Sequence, residues 1–117
     1  YSFVDRMAHH TLDVTNPKSL DFVESMLLEF IPLFSSDKFN ICCDETFDLG
    51  KGKSKEKAEK LGVGKIYTEF LNKVYNIVKS FNKNVMFWGD IIVGYPELLS
   101  DIPEDLTCLT IIHRLMM

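Results

Sequence analysis

The sequence predicts an α/β chain in which parallel strands are covered by helices. Two observations carry that expectation. Stretches with helical apolar spacing alternate with short continuous apolar runs, in the order helix, strand, helix, strand, short helix, strand, the pattern of a parallel sheet with helices outside it. Two of the short runs also end abruptly in carboxylates: Phe39 to Cys43 precedes Asp44 and Glu45, and Val85 to Trp88 precedes Gly89 and Asp90. Right-handed crossovers bring the C-terminal ends of such strands to one face, where α/β enzymes hold their chemistry. On spacing alone, a barrel and an open doubly wound sheet are both compatible with this order.

Composition narrows the classes. A chain of 117 residues with 46% hydrophobic content reads as one globular unit rather than a disordered or fibrous one. The net charge of -4 offers no positive field to attract phosphates, so nucleic acid is not an expected partner. No apolar run is long enough to span a bilayer, and a membrane is not expected either. Three cysteines, two of them the neighbours Cys42 and Cys43, make no even disulfide framework. A reducing, cytoplasmic setting is the expectation.

Each element has a local reason. Asn16 can cap orphan helix N–H groups and Pro17 suits the first helical position. Phe22, Val23, Met26, Leu27, Phe30, Ile31 and Phe34 then recur at helical spacing, predicting one buried face with Met26 and the phenylalanines in the core. Pro32 and Ser35-Ser36-Asp37 end that helix. Phe39 to Cys43, apolar except for Asn40, fits a parallel strand covered on both faces. The lysines that follow (Lys51, Lys53, Lys55, Lys57 and Lys60) read as a solvated loop and helix start, since the glycine spacing does not match a P-loop. A second amphipathic helix is predicted from about Lys65 to Phe81, with Ile66, Tyr67, Phe70, Leu71, Val74, Ile77, Val78 and Phe81 as its stripe. Asn82-Lys83-Asn84 turns into the Val85–Trp88 strand, Tyr95 to Leu99 suggests a short helix, and Leu106 to Ile112 a third strand.

The candidate chemistry lies at the strand ends. Paired carboxylates beside an aromatic wall suit sugar chemistry: one carboxyl donates to a leaving glycosidic oxygen while its neighbour stabilises positive charge. The plainer reading makes Asp44 a turn cap and Glu45 a solvated side chain. Both carboxylates can enter one pocket only where the strand stops, because successive side chains of a regular strand point to opposite faces. Asp44 is therefore expected at or past the last paired residue. His9 and His10 read as rim residues rather than metal ligands, and neighbouring cysteines lack the spacing that lets both hold one zinc ion. No metal is expected.

The segment from Phe39 to Thr46 resembles the His/Asn-x-Gly-x-Asp-Glu signature of the family 20 glycoside hydrolases, the β-N-acetylhexosaminidases. Thr11-Leu12-Asp13-Val14-Thr15-Asn16-Pro17 is similar to the family's Leu-Asp-x-x-Asn-Pro segment, and Met86-Phe87-Trp88-Gly89-Asp90 to its next strand, which carries Trp-x-Glu or Trp-x-Asp. The resemblance implies a partial (β/α)8 TIM barrel, about strands 4 to 6 with their helices, so that residues 1–117 form a fragment of a single catalytic barrel that in full needs about 250 residues. It implies removal of terminal β-linked N-acetylglucosamine or N-acetylgalactosamine, with retention, by substrate-assisted catalysis and with no cofactor. Glu45 would be the general acid, then base, and Asp44 would orient the acetamido group. Trp88 would line the acetamide pocket, and Asp90 would contact sugar hydroxyls.

The chain also departs from the family. Cys42-Cys43 stands where glycines are usual, and the early arginine and late tyrosine and tryptophan residues of the family's pocket have no counterpart. The partner implied is a glycan or glycoside carrying an N-acetylhexosamine, and open sheet edges favour self-association. The alternative is a catalytically silent barrel fragment, acting only as a weak sugar-binding or association module.

Overall fold

The structure, a computed structural model, describes residues 11–44, 46 and 49–109. The predicted Glu45, the histidines His9 and His10, and the end of the third predicted strand from Thr110 lie outside the described residues.

Local chemistry starts the first helix where the sequence placed it. α1 runs Pro17–Phe30, with the Asn16 side chain accepting the Lys18 N–H at 3.0 Å and proline in its first turn. A 3-10 turn, Ile31–Leu33, ends it at Pro32. The strand β1 (Lys38–Asn40) follows. A lysine-rich loop then leads to α2 (Lys55–Leu61), and Gly62, at φ 88°, turns the chain into α3 (Val63–Lys79). That conformation favours glycine because a Cβ would crowd the backbone. The long helix ends in a turn through Asn82, also left-handed, before β2 (Asn84–Trp88). A short helix, α4 (Asp90–Gly94), and a 3-10 turn (Pro96–Asp101) precede β3 (Thr107–Leu109).

The three strands form one parallel sheet in the order β1-β2-β3, with Phe39 opposite Val85 and Phe87 opposite Cys108. α3 crosses from β1 to β2 and contacts both β2 and α1. Its Ile66, Leu71 and Val78 are almost fully buried, together with Ile31 after α1 and with Val85 and Phe87, which point from β2 into this layer. Burial of this helix-and-sheet layer is the dominant stabilising term.

Two expectations are corrected here. Among the described residues the helices cover one face of the sheet: along β2, Val85 and Phe87 are buried while Met86 and Trp88 between and after them are only half-buried, and in β1 Phe39 and Asn40 are both half-buried rather than enclosed. Alternation of that kind marks a sheet packed on one side. The apolar face of α1 is also narrower than its spacing implied. Val23 and Leu27 are buried, but Phe22 is 60% exposed and Met26, Phe30 and Phe34 are each close to half exposed. Among the described residues α3 is the long helix packed on α1 and covers a narrow arc of it, while the flanking Phe30 packs edge-on against Phe34 and Phe39 with much of its surface still exposed. The lysines of the loop and α2 are exposed, apart from a half-buried Lys57, which pairs with Glu69 of α3 at 3.1 Å.

Candidate active site

The site begins where β1 stops being regular. Ladder pairing ends at Asn40, opposite Met86, yet the chain stays beside β2 a little longer. The Ile41 N–H donates to the Met86 carbonyl and the Trp88 N–H to the Cys42 carbonyl, both at 2.8 Å. Then Cys42 and Cys43 take φ values of 67° and 61°. Two consecutive side-chain-bearing residues in the left-handed region cost about 1–2 kcal/mol each, so the corner has to be held by its surroundings. Three hydrogen bonds hold it. The Asn40 side-chain oxygen accepts the Cys42 N–H at 2.8 Å, Trp88 holds the Cys42 carbonyl, and the Tyr67 hydroxyl donates to the Cys43 carbonyl at 2.9 Å.

Asp44 leaves this corner past the last paired residue, as the shared-pocket argument requires, and is half-buried. Predicted pairing through Cys43 is thus corrected to Lys38–Asn40, because left-handed residues break a ladder. Trp88 closes β2 and is half-buried, on the face opposite Val85 and Phe87. Asp90 is exposed in the first turn of α4, directly after the strand end.

The electrostatics bring these groups to one place. Burial pushes the Cys43 thiol up to about 12, and the charges of Cys42, Asp44 and Asp90 push in the same direction. Burial likewise raises the Tyr67 hydroxyl far above its ordinary value, reinforced by Cys43, Asp90, Cys108 and Asp44. Both carboxylates therefore act on the same buried thiol and phenol. Neither vicinal cysteine is set up as a nucleophile, since Cys42 is also raised, by burial and by Asp44, and the reactive form is the thiolate.

A cavity of about 470 Å³ opens beside the corner, between α1, the end of β1 and α3. Met26, Leu27 and Phe30 line it from α1 and Phe39 and Ile41 from the strand, and Asn40 and Asp44 add polar groups to the lining. Asp44 borders it; Trp88 and Asp90 do not. Spacing did not foretell this cavity, because it follows from how far α1 stands from β1. Helical spacing likewise marks Tyr67 only as part of a packing stripe. The available signal was its hydroxyl: a tyrosine in a stripe whose other members carry no polar side-chain atom needs a partner inside.

The family model for glycosyl hydrolase family 20, catalytic domain, matches residues 2–110. No curated protein and no solved structure matches the chain. The match runs through the Asp13–Pro17 helix start, the left-handed corner before Asp44 and the Trp88–Asp90 strand end. With residues 2–110 of 117 covered, the chain belongs to glycosyl hydrolase family 20, a family of enzymes that act on glycosides.

Proposed function

We propose that this chain carries the catalytic pair of a retaining β-N-acetylhexosaminidase, on three successive strand–helix units of a (β/α)8 barrel. The observation that carries the reading is Asp44 itself. A carboxylate turned out of the strand line by a braced corner, at the C-terminal edge of a parallel sheet in a family 20 chain, has the placement that substrate orientation needs. The one-sided sheet supports the barrel, since the half-buried face bearing Met86 and Trp88 suits the interior of a closed barrel.

In this mechanism Asp44 accepts the acetamido N–H of the bound sugar, which aims the acetamido oxygen at the anomeric carbon and stabilises the charge that develops on the ring formed. Glu45 gives its proton to the leaving glycosidic oxygen as that C–O bond breaks. It then takes a proton from water, which attacks the anomeric carbon and restores the acetamide with retained configuration. Trp88 offers an indole face to the acetamido methyl group, and Asp90 accepts from sugar hydroxyls. Terminal β-linked N-acetylglucosamine or N-acetylgalactosamine is the substrate.

The test is release of aryl alcohol from an aryl N-acetyl-β-D-glucosaminide, with the matching aryl β-D-glucoside as control. The expected result is turnover of the first and not of the second, because only the first carries the internal nucleophile. Glu45→Gln and Asp44→Asn should each lower kcat by about 100-fold or more. Equal turnover of both substrates would exclude the substrate-assisted route. No turnover of either would leave a silent, sugar-binding member of the family.

A further inference from the structure

We propose that Tyr67 is a positioning residue for Asp44: its hydroxyl holds the Cys43 carbonyl and thereby fixes the left-handed corner from which Asp44 emerges. This rests on the role given to Asp44 above. The Cys43 carbonyl and the Asp44 N–H belong to one peptide plane, so a bond to that carbonyl sets the direction in which Asp44 leaves. Asn40 and Trp88 brace the corner on its Cys42 side. Tyr67 braces the Cys43 side, and it does so from a different element, α3.

The brace is stiff and constant. The Tyr67 ring is 4% exposed, and Ile66 and Leu71 of the same helix are each 1% exposed, so the ring has no room to swing. Burial and the nearby carboxylates keep the hydroxyl protonated, hence a donor, throughout the range in which a glycosidase works. Tyr75, also on α3, makes the contrasting case: its hydroxyl donates to the surface carboxylate of Asp105, away from the corner.

The experiment compares Tyr67→Phe with Tyr75→Phe in the full chain, thermal unfolding confirming that both are folded. In Tyr67→Phe the Asp44 backbone amide resonance should move, and iodoacetamide should label Cys43 about tenfold faster relative to Cys108, because the corner opens more often. Tyr75→Phe should leave both unchanged. On the aryl N-acetylglucosaminide, Tyr67→Phe should lower kcat about 10- to 100-fold with little change in KM, the signature of a misdirected rather than a missing group. An unmoved Asp44 amide with unchanged Cys43 labelling overturns the proposal, and so does an unchanged kcat in a variant whose corner has opened. A wild-type chain without turnover overturns the catalytic reading instead, and the amide and labelling measurements then decide the brace alone.

Discussion

Replacing Cys42 by glycine should stabilise this protein, against the usual direction of a change to glycine. Cys42 sits at φ 67° with its side chain exposed, so the substitution gives up less buried surface than at Cys43. The short hydrogen bonds of the corner use the Cys42 backbone N–H and carbonyl, which glycine keeps, and glycine loses the long contact of 3.9 Å that the Cys42 thiol donates to the Asn40 carbonyl. Relief of the left-handed penalty contributes about 1–2 kcal/mol. The greater freedom of glycine in the unfolded chain costs about 0.4–1 kcal/mol. The net gain is about 0–1.6 kcal/mol, with a central value of about 0.8 kcal/mol, or roughly 3 °C in Tm for a chain of this size. Cys43→Gly is the internal comparison. It relieves a similar strain at φ 61°, but Cys43 packs against the core, and about 1 kcal/mol of lost burial cancels most of the gain. Thermal and urea unfolding of the two variants beside wild type would check the difference. A lower Tm for Cys42→Gly would refute the view that the corner is strained and externally held.

Three further outcomes follow from the packing and the titrating groups. Phe87→Ala removes a fully buried ring from the centre of β2 and should cost about 3–5 kcal/mol in urea unfolding; a loss near 1 kcal/mol would mean that the helix layer does not rest on this strand. Gly50→Ala should cost about 1–3 kcal/mol, since the new Cβ would lie 2.7 Å from Val63 Cγ2 at a φ of 83°, and a neutral result would show that the loop shifts freely. Stability should also fall as pH rises above the ordinary thiol value of 9.0 towards about 12. In that window the unfolded chain has released the Cys43 proton while the folded chain keeps it, so the slope of unfolding free energy with pH is negative. Tyr67 adds to the slope in the same direction above its ordinary 10.0. Cys43→Ala should flatten the profile measured across that window, and an unchanged slope would place the titration elsewhere.

Local sequence signals accounted for the main elements and their order, though not for α2 as a helix of its own. The Asn16-Pro17 cap, the apolar stripe of α3, the Asn82 turn and the strand run before Gly89 each depend on neighbours within a few residues, and each is where periodicity and capping rules put it; the run before Asp44 is a strand too, but a shorter one that stops at Asn40. The start of α3 at Val63 rather than Lys65 follows from Gly62, whose left-handed conformation lets a second helix begin at once. The 3-10 turn Pro96–Asp101 replaces the short helix expected there, and α4 before it was not foreseen. Short segments of this kind take their form from what they pack on.

Tertiary structure decided what the candidate site is made of. Nothing in the pair Cys42-Cys43 announces a left-handed corner, because cysteine ordinarily avoids that region and adopts it here against three hydrogen bonds from Asn40, Trp88 and Tyr67. The phenylalanines of α1 carry the spacing of a core face, yet their exposure depends on which neighbours reach that helix, and among the described residues α3 covers one arc of it. Apolar periodicity states which side chains can share a face; only contacts across the fold state which of them lose water. The sequence by itself therefore determined the two long helices, the strand order and the carboxylates at the strand ends. The fold alone decided how Asp44 leaves its strand and which buried tyrosine keeps it there, because both depend on bonds between residues far apart in the chain.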